Sequence, residues 1–368
     1  MMLTVFAACT SAVLCAAFLI HSASAADAVR RGIEICGVSV IPSLFPMMFL
    51  SQYIVKSGAA ELAGGLLDKP VRLLFGLPGI CGVALLTAFI GGYPAGARAA
   101  ESLTADGKIT REQGERLADI AFCAGPGFAI GMIGGELYKN KSVGLLILTA
   151  QAFSCIIIGT VLKFVFKDKE SFSASRTKSP QRISRGSDAF VQSAANTAST
   201  MLNMCSFIIL FQVIISMLDT TGINTALGML TQTAGLGDKG KMLLPCAVEV
   251  TSGSILSVSA GLPFTAFVAG FGGLSVHFQN FAVCRTIRPK KQVYFLIRII
   301  QGGLCSIIVT FALRLPCFAS IVLPVSGSAA QAVPVRFSRV SVGFGCAMIV
   351  MCLMSVICLP SEKEMIKS

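Results

Sequence analysis

The chain alternates between long apolar runs and short polar stretches rich in Lys and Arg. Residues 3–20 form an uncharged apolar run, and a helix of about 20 residues spans a bilayer. Ser22-Ala23-Ser24-Ala25-Ala26 follows and resembles a signal-peptidase site. No basic stretch precedes the run, so an uncleaved first helix is favoured over a removed leader. Residues 27–56 open with Asp27, Arg30, Arg31 and Glu34 and turn apolar through Ile41-Pro42-Ser43-Leu44-Phe45-Pro46. Two prolines this close interrupt the hydrogen-bond ladder of a helix. In lipid the freed carbonyls must meet neighbours or water, so the pattern predicts a break pointing into the protein, or a kink for packing.

Residues 73–92 are the next apolar segment, ending in Gly91-Gly92-Tyr93-Pro94-Ala95-Gly96-Ala97-Arg98. Glycines and a proline at this depth disfavour a straight helix and permit a turn of exposed backbone, as at the tip of a re-entrant hairpin. The polar stretch Asp106 to Asp119 carries Thr110-x-x-Gln113, which predicts a capping box and a short amphipathic helix with Leu117, Ile120 and Ala121 on its apolar face. Residues 121–138 are apolar but hold five glycines and a proline, the pattern of a broken membrane helix or a re-entrant loop. Residues 142–162 are a clean span. Residues 167–188 carry six basic and three acidic residues with no apolar periodicity, which predicts a mobile cytoplasmic joint.

The second half opens with Asp188-Ala189, as the first opens with Asp27-Ala28. Gln192, Asn196, Ser199 and Asn203 fall on one helical face. Such a stripe packs helices through hydrogen bonds or lines a substrate path; on the second reading Asn196, Ser199 and Asn203 form a polar path. Residues 242–283 are the second glycine-rich region, and 292–313 and 340–359 are the last two spans. Within residues 262–291 an apolar run reaches Gly272 and Gly273. It then carries Ser275, His277, Gln279 and Asn280, and closes on Arg285, Arg288, Lys290 and Lys291. Polar groups inside an apolar segment are costly in lipid and usually face a bundle interior or a cavity. Thr87-Ala88-Phe89-Ile90-Gly91-Gly92-Tyr93 is echoed by Thr265-Ala266-Phe267-Val268-Ala269-Gly270-Phe271, identical at four of seven positions. The echo points to a duplicated unit, a common way of building transporters.

Composition confirms the class. The chain is 54% hydrophobic and 13% charged, with mean hydropathy +0.78, against about 25% charged residues in soluble domains. The net charge of +12 sits mostly between apolar runs. It therefore reads as topology and contact with anionic lipid, not nucleic acid. The 14 cysteines form no C-x-x-C pair, and with two histidines no zinc spacing arises, so no metal or other cofactor is expected. The glycine clusters are not nucleotide loops, since no Gly-Lys-Ser/Thr follows them, and neither H-E-x-x-H nor G-x-S-x-G occurs. An enzyme is not indicated. The expected fold is an all-α polytopic membrane protein of about eight transmembrane helices, with broken or re-entrant glycine-rich segments and an internal repeat. Its parts are an N-terminal helix (1–26), a first membrane repeat (27–166), the basic linker (167–188), a second repeat (189–313) and a C-terminal helix and tail (314–368). Charge bias favours the cytoplasm for 27–31, 98–119, 167–188, 285–291 and the tail. The repeats are parallel if 121–138 crosses the membrane and inverted if it is re-entrant.

Four stretches occur in order: Ile41-Pro42-Ser43-Leu44-Phe45-Pro46, Gly92-Tyr93-Pro94-Ala95-Gly96-Ala97-Arg98, Glu249-Val250-Thr251-Ser252-Gly253, and Gly270-Phe271-Gly272-Gly273-Leu274-Ser275-Val276-His277-Phe278-Gln279. Together they resemble the YlbJ/SpoVV-type sporulation integral membrane proteins over roughly residues 27–313. That family carries nucleoside-recognition gate domains similar to the core of concentrative nucleoside transporters. The resemblance implies a bacterial cell-membrane protein made in sporulation, in the mother-cell-derived outer forespore membrane, that moves dipicolinic acid toward the forespore. Relatives often have asparagine and other polar residues before the Gly-Pro-x-Phe element; here Phe122-Cys123-Ala124 precede Gly125-Pro126-Gly127-Phe128.

A small anionic or nucleoside-like substrate needs donors and positive potential in a dry site. Unwound turns and half-helix N-termini supply both. The candidate binding residues are therefore Gly92, Tyr93, Pro94, Gly96 and Arg98 from the first turn, Gly272, Gly273, Ser275, His277 and Gln279 from the second, and Glu249, Thr251 and Ser252. Arg98 reads equally as an interfacial anchor, and His277 as a packed core histidine. Glu249 stands in an otherwise uncharged stretch, Met242 to Cys284, where it can hold a coupling proton or Na⁺, hydrogen-bond a substrate, or serve as a structural carboxyl. The lipid bilayer is the expected partner, and a homo-oligomer is compatible with the sequence. The alternative function is a non-transporting membrane scaffold for spore assembly, for which the 22-residue linker is a small docking segment.

Overall fold

The computed structural model describes residues 8, 11, 12, 15–57, 59–166, 186–233 and 240–315. The apolar run 3–20 therefore lies partly outside the described residues, the linker 167–188 and the tail 314–368 almost entirely, and the run 340–359 wholly. Every regular element described is helical.

Helix α1, Ser22–Lys56, passes through the Pro42/Pro46 pair without a break, which corrects the break expected there. The irregularity comes one turn earlier, in a π-helical stretch over Cys36–Val40. A wider turn relieves the clash of a proline ring with the carbonyl four residues back. Ser43 Oγ donates to the Ser39 carbonyl at 2.6 Å and covers a group that the wide turn loosens. Helix α2, Ala59–Phe75, takes in residues 73–75, which the apolar pattern had assigned to the next segment. Then come α3 (Cys81–Gly91), α4 (Tyr93–Ala105), α5 (Arg111–Ile120), α6 (Gly127–Leu137) and α7 (Lys141–Val165). The second half holds α8 (Gly186–Thr220), α9 (Ile223–Thr233), α10 (Gly240–Val248), α11 (Val250–Ser257), α12 (Leu262–Phe271), α13 (Gly273–Val283) and α14 (Lys291–Arg314).

Among the described residues four helices are long and apolar enough to cross a membrane: α1, α7, α8 and α14. The predicted runs 3–20 and 340–359 lie partly or wholly outside the described residues, and the runs 73–92, 121–138 and 242–283 differ from simple spans for a physical reason. The glycine-rich runs are split into helices of about two to three turns, which are too short to span alone. Large apolar side chains such as Phe153, Val161 and Phe164 on α7 and Ile299, Ile307 and Phe311 on α14 face outward, as suits helices solvated by lipid. Helix α5 starts with the predicted capping box. Thr110 Oγ1 accepts from Gln113 N at 3.2 Å, and Gln113 Oε1 accepts from Thr110 N at 3.0 Å. Leu117, Ile120 and Ala121 are buried, as its amphipathic pattern requires.

The described residues fall into two compact units. The smaller is built from residues up to Gly32 and from Ile209–Pro245. Ala17, Ala28, Val213 and Met217 form its core, and Ser216 Oγ donates to the Ser24 carbonyl at 3.3 Å. The larger takes Ile33–Ile208 and the residues from Cys246 onward. Its core packs α2, α3, α4, α5, α7 and α14 around Leu77, Ala88, Leu117, Ile158 and Ile287. At one end of this unit two basic stretches are tied together. The Glu101 carboxylate accepts from Thr286 N at 2.7 Å and Ile287 N at 3.1 Å, and Arg111 Nε donates to the Ile287 carbonyl at 3.1 Å. The stretches 98–119 and 285–291 therefore share one face of the unit.

Candidate functional site: a cavity among broken helices

Three chain breaks meet in the larger unit. Helices α3 and α4 join at Gly92, with φ 85° and ψ −171°, a conformation open to glycine and strained for other residues. Helices α12 and α13 join at Gly272, φ 86°, followed by Gly273 at φ 73°. Helices α10 and α11 join at Glu249, which is extended and caps α11. Its side chain is 0% exposed. Oε1 accepts from Thr251 N at 2.9 Å and Oε2 from Ser252 N at 2.7 Å. A carboxylate at a helix N-terminus satisfies two orphan N–H groups and meets the positive end of the helix dipole.

The two glycine breaks touch. Tyr93 Oη donates to the Ala269 carbonyl at 2.5 Å, and a Cβ built on Gly273 would stand 3.0 Å from Val250 N. Beside the Gly92 and Glu249 breaks, with Val276 and Gln279 of α13 on another side, lies a cavity of about 20 Å³ in terms of the space open to the centre of a water molecule. A single water needs about 10–15 Å³ on that measure, so the cavity as it stands has room for little more than a water.

Of the predicted residues, Gly92, Tyr93, Pro94, Glu249, Thr251 and Gln279 line the cavity. The others do not. Ser252 is engaged with Glu249 through its backbone. Gly96 packs against the Ala121 carbonyl, and Gly272 against the Phe122 ring. Ser275 is buried, and its hydroxyl has no partner among the described residues. Arg98 is half-buried away from the cavity. His277 is buried in a box of rings, with centroids 4.9 Å from Phe271, 5.1 Å from Phe295 and 5.4 Å from Tyr294, the geometry of a packed core histidine. On α8 the cavity meets Met204 and Ile208. Ser199 and Asn203 are exposed and Asn196 half-buried on other faces of that helix, so the polar stripe does not line this cavity.

The glycine turns also differ from expectation in their donors. Gly92 N is spent on the Ala88 carbonyl and Gly272 N on the Val268 carbonyl, each at 2.9 Å, because each glycine closes the helix before it. The N–H groups at the start of α11 are taken by Glu249. Among the described residues Glu249 is the one charged residue lining the cavity, and Gln279 Oε1 has no partner. In this form the site offers acceptors. It suits a hydrogen-bond donor, a cation, or an anion whose charge is neutralised by an accompanying proton or Na⁺.

Sequence reasoning missed two kinds of residue. Val40, Leu44, Ala124, Phe128, Met204 and Ile208 also line the cavity, with Gly91, Val250 and Val276; the six come from parts of the chain far apart in sequence and carry no local signal. Arg298 did carry one. It is a lone arginine within the apolar span Phe295-Leu296-Ile297-Arg298-Ile299-Ile300, and an ionisable residue inside a membrane segment is a functional candidate.

Comparison with known proteins agrees with this architecture. Residues 38–167 match the Gate family, described as nucleoside recognition. The chain is 24% identical over 323 residues to the sporulation integral membrane protein YlbJ of Bacillus subtilis (strain 168), covering 80% of this chain and 79% of that protein. No solved structure matches it. A membrane protein whose short helices break at Gly92, Glu249 and Gly272 thus carries a Gate nucleoside-recognition domain and is a distant homologue of a sporulation integral membrane protein.

Proposed function

We propose that the protein is a membrane transporter acting in sporulation, moving dipicolinic acid or a related small anion from the mother cell toward the forespore through the cavity among the broken helices. The observation that carries the reading is the convergence of Gly92, Glu249 and Gln279 on one cavity among helices too short to span. Discontinuous helices around a central polar site are how secondary transporters hold substrate and coupling ion. The sporulation role rests on the distant homologue.

Glu249 sets a condition on the substrate. A bare carboxylate in a dry cavity repels an anion, so the anion crosses with a proton or Na⁺ at Glu249. The cavity is too small for a dicarboxylic acid in this form, so the breaks must separate to admit one. The test is uptake of labelled dipicolinic acid into vesicles containing the purified protein, with and without proton and Na⁺ gradients. Accumulation that depends on one of the gradients is expected. No accumulation under any gradient, by protein correctly folded in the vesicles, would leave the scaffold reading in its place.

A further inference from the structure

Between α5 and α6 the chain leaves regular helix from Ala121 to Ala124. Ala121 N still closes α5 on the Leu117 carbonyl and Phe122 N reaches the Ile120 carbonyl, but the groups beyond them depend on other elements, and Ala121, Phe122, Cys123 and Ala124 are buried. Such a strand cannot satisfy its own backbone, and each unmet group in a membrane interior costs several kcal/mol. Side chains from α7 and α14 meet these groups instead. Arg298 donates through one Nη to the Asp119 carbonyl. Gln301 Nε2 donates to the Phe122 carbonyl at 2.8 Å. Gln151 Oε1 accepts from Ala124 N at 2.8 Å and from Cys123 Sγ at 3.1 Å.

Arg298 is 0% exposed and makes no ion pair among the described residues. Its second Nη donates to Gln301 Oε1 at 2.5 Å. The guanidinium lies over the Phe122 ring, with Cζ 4.2 Å from the centroid. A fork that serves a carbonyl and an amide oxygen while stacking on a ring is a task for arginine, which lysine cannot reproduce. The strand held in this way forms a wall of the cavity through Ala124. The Phe122 ring is 4.7 Å from the Tyr93 ring, and a Cβ on Gly272 would come within 2.5 Å of Phe122 Cζ. The ring thus wedges against both glycine breaks.

We propose that Arg298, Gln301 and Gln151 are positioning residues for the cavity: they hold the C-terminal end of α5 and the strand Ala121–Ala124 that follows it and, through them, fix Phe122 between the two glycine breaks. Their importance for transport rests on the reading that this cavity is the transport site, but their hold on the strand does not, and it is measured without any substrate.

The measurement uses Cys123, which sits in the strand, and Cys284, buried elsewhere, in the full chain with the other cysteines replaced and Cys155 changed to Ser. N-ethylmaleimide labelling of the two thiols in membranes is followed by mass spectrometry. In the parent both react slowly. In Arg298→Lys and in Gln301→Met, Cys123 should react about tenfold faster while Cys284 is unchanged, because losing one buried charge-assisted or amide bond opens the strand locally. If Arg298→Lys does not accumulate, Gln301→Met and Gln151→Met carry the decision. Unchanged Cys123 labelling in the folded variants overturns the proposal. An equal rise at Cys284 overturns it as well, since that marks general loosening.

Discussion

Replacing Glu249 by glutamine probes the site most directly, and the structure sets the size of the effect. The native carboxylate gives one oxygen each to Thr251 N and Ser252 N. Glutamine is nearly isosteric but keeps one acceptor and turns an NH₂ toward the second N–H. One charge-assisted hydrogen bond is lost, and a buried donor faces another donor. Hydrogen bonds to charged groups contribute about 1.5–3 kcal/mol, or roughly ten- to hundredfold in the population of the capped helix. Dipicolinic acid uptake by Glu249→Gln should therefore fall at least about tenfold and lose its dependence on protons or Na⁺. Membrane abundance is measured in parallel by immunoblot. Glu249→Asp is the companion variant: aspartate caps helices well, so it should accumulate normally even where transport changes. Uptake by Glu249→Gln equal to the parent, with the same ion dependence and at equal abundance, would refute the reasoning.

Three further outcomes follow from the geometry. A Cβ on Gly96 would stand 2.1 Å from the Ala121 carbonyl oxygen, a backbone atom that cannot swing aside, so Gly96→Ala should sharply lower the thermal stability of detergent-solubilised protein; an unchanged melting curve would count against the close packing of α4 on the strand. Tyr93→Phe removes the bond to the Ala269 carbonyl at a cost of about 1–3 kcal/mol, and its melting shift should be smaller than that of Gly96→Ala; the reverse order would contradict the packing. Cysteines placed at the exposed positions 107 and 288 should be protected together from an impermeant thiol reagent in intact cells and labelled together in inverted vesicles, because Glu101 ties the two stretches; labelling from opposite sides would break the fold assignment.

The features legible in the sequence were those written in local chemistry. Thr110 and Gln113 announce their capping box because both bonds lie within one turn. Gly92 and Gly272 announce helix breaks because their dihedrals favour glycine. Glu249 stood out as a charge with no charged neighbour. The Pro42/Pro46 pair misled, since a π-helical stretch upstream absorbs the strain that the pattern assigns to a break. His277 and Ser275 misled because polarity within an apolar run shows burial but not direction. They share a helix with Gln279 yet are not among the residues that line its cavity. Gln151 and Gln301 stand as single polar residues within apolar spans. Their partners, the backbone at Ala124 and Phe122, could be known only once the chain was seen to unwind there.

The unwound strand also bears on how the chain is made. The Phe122 carbonyl finds Cys155 Sγ at 3.3 Å within the first half, but the Asp119 carbonyl is met by Arg298, 179 residues further along, so during synthesis it waits for almost the whole of the second half. Until α14 enters the membrane, that stretch must stay at the aqueous boundary or borrow partners from lipid headgroups, water or the insertion machinery. The segment matching the Gate family, residues 38–167, thus draws part of its buried hydrogen bonding from α14. A chain terminated before Arg298 would present unpaired backbone to the bilayer interior and be a natural target for membrane quality-control proteases.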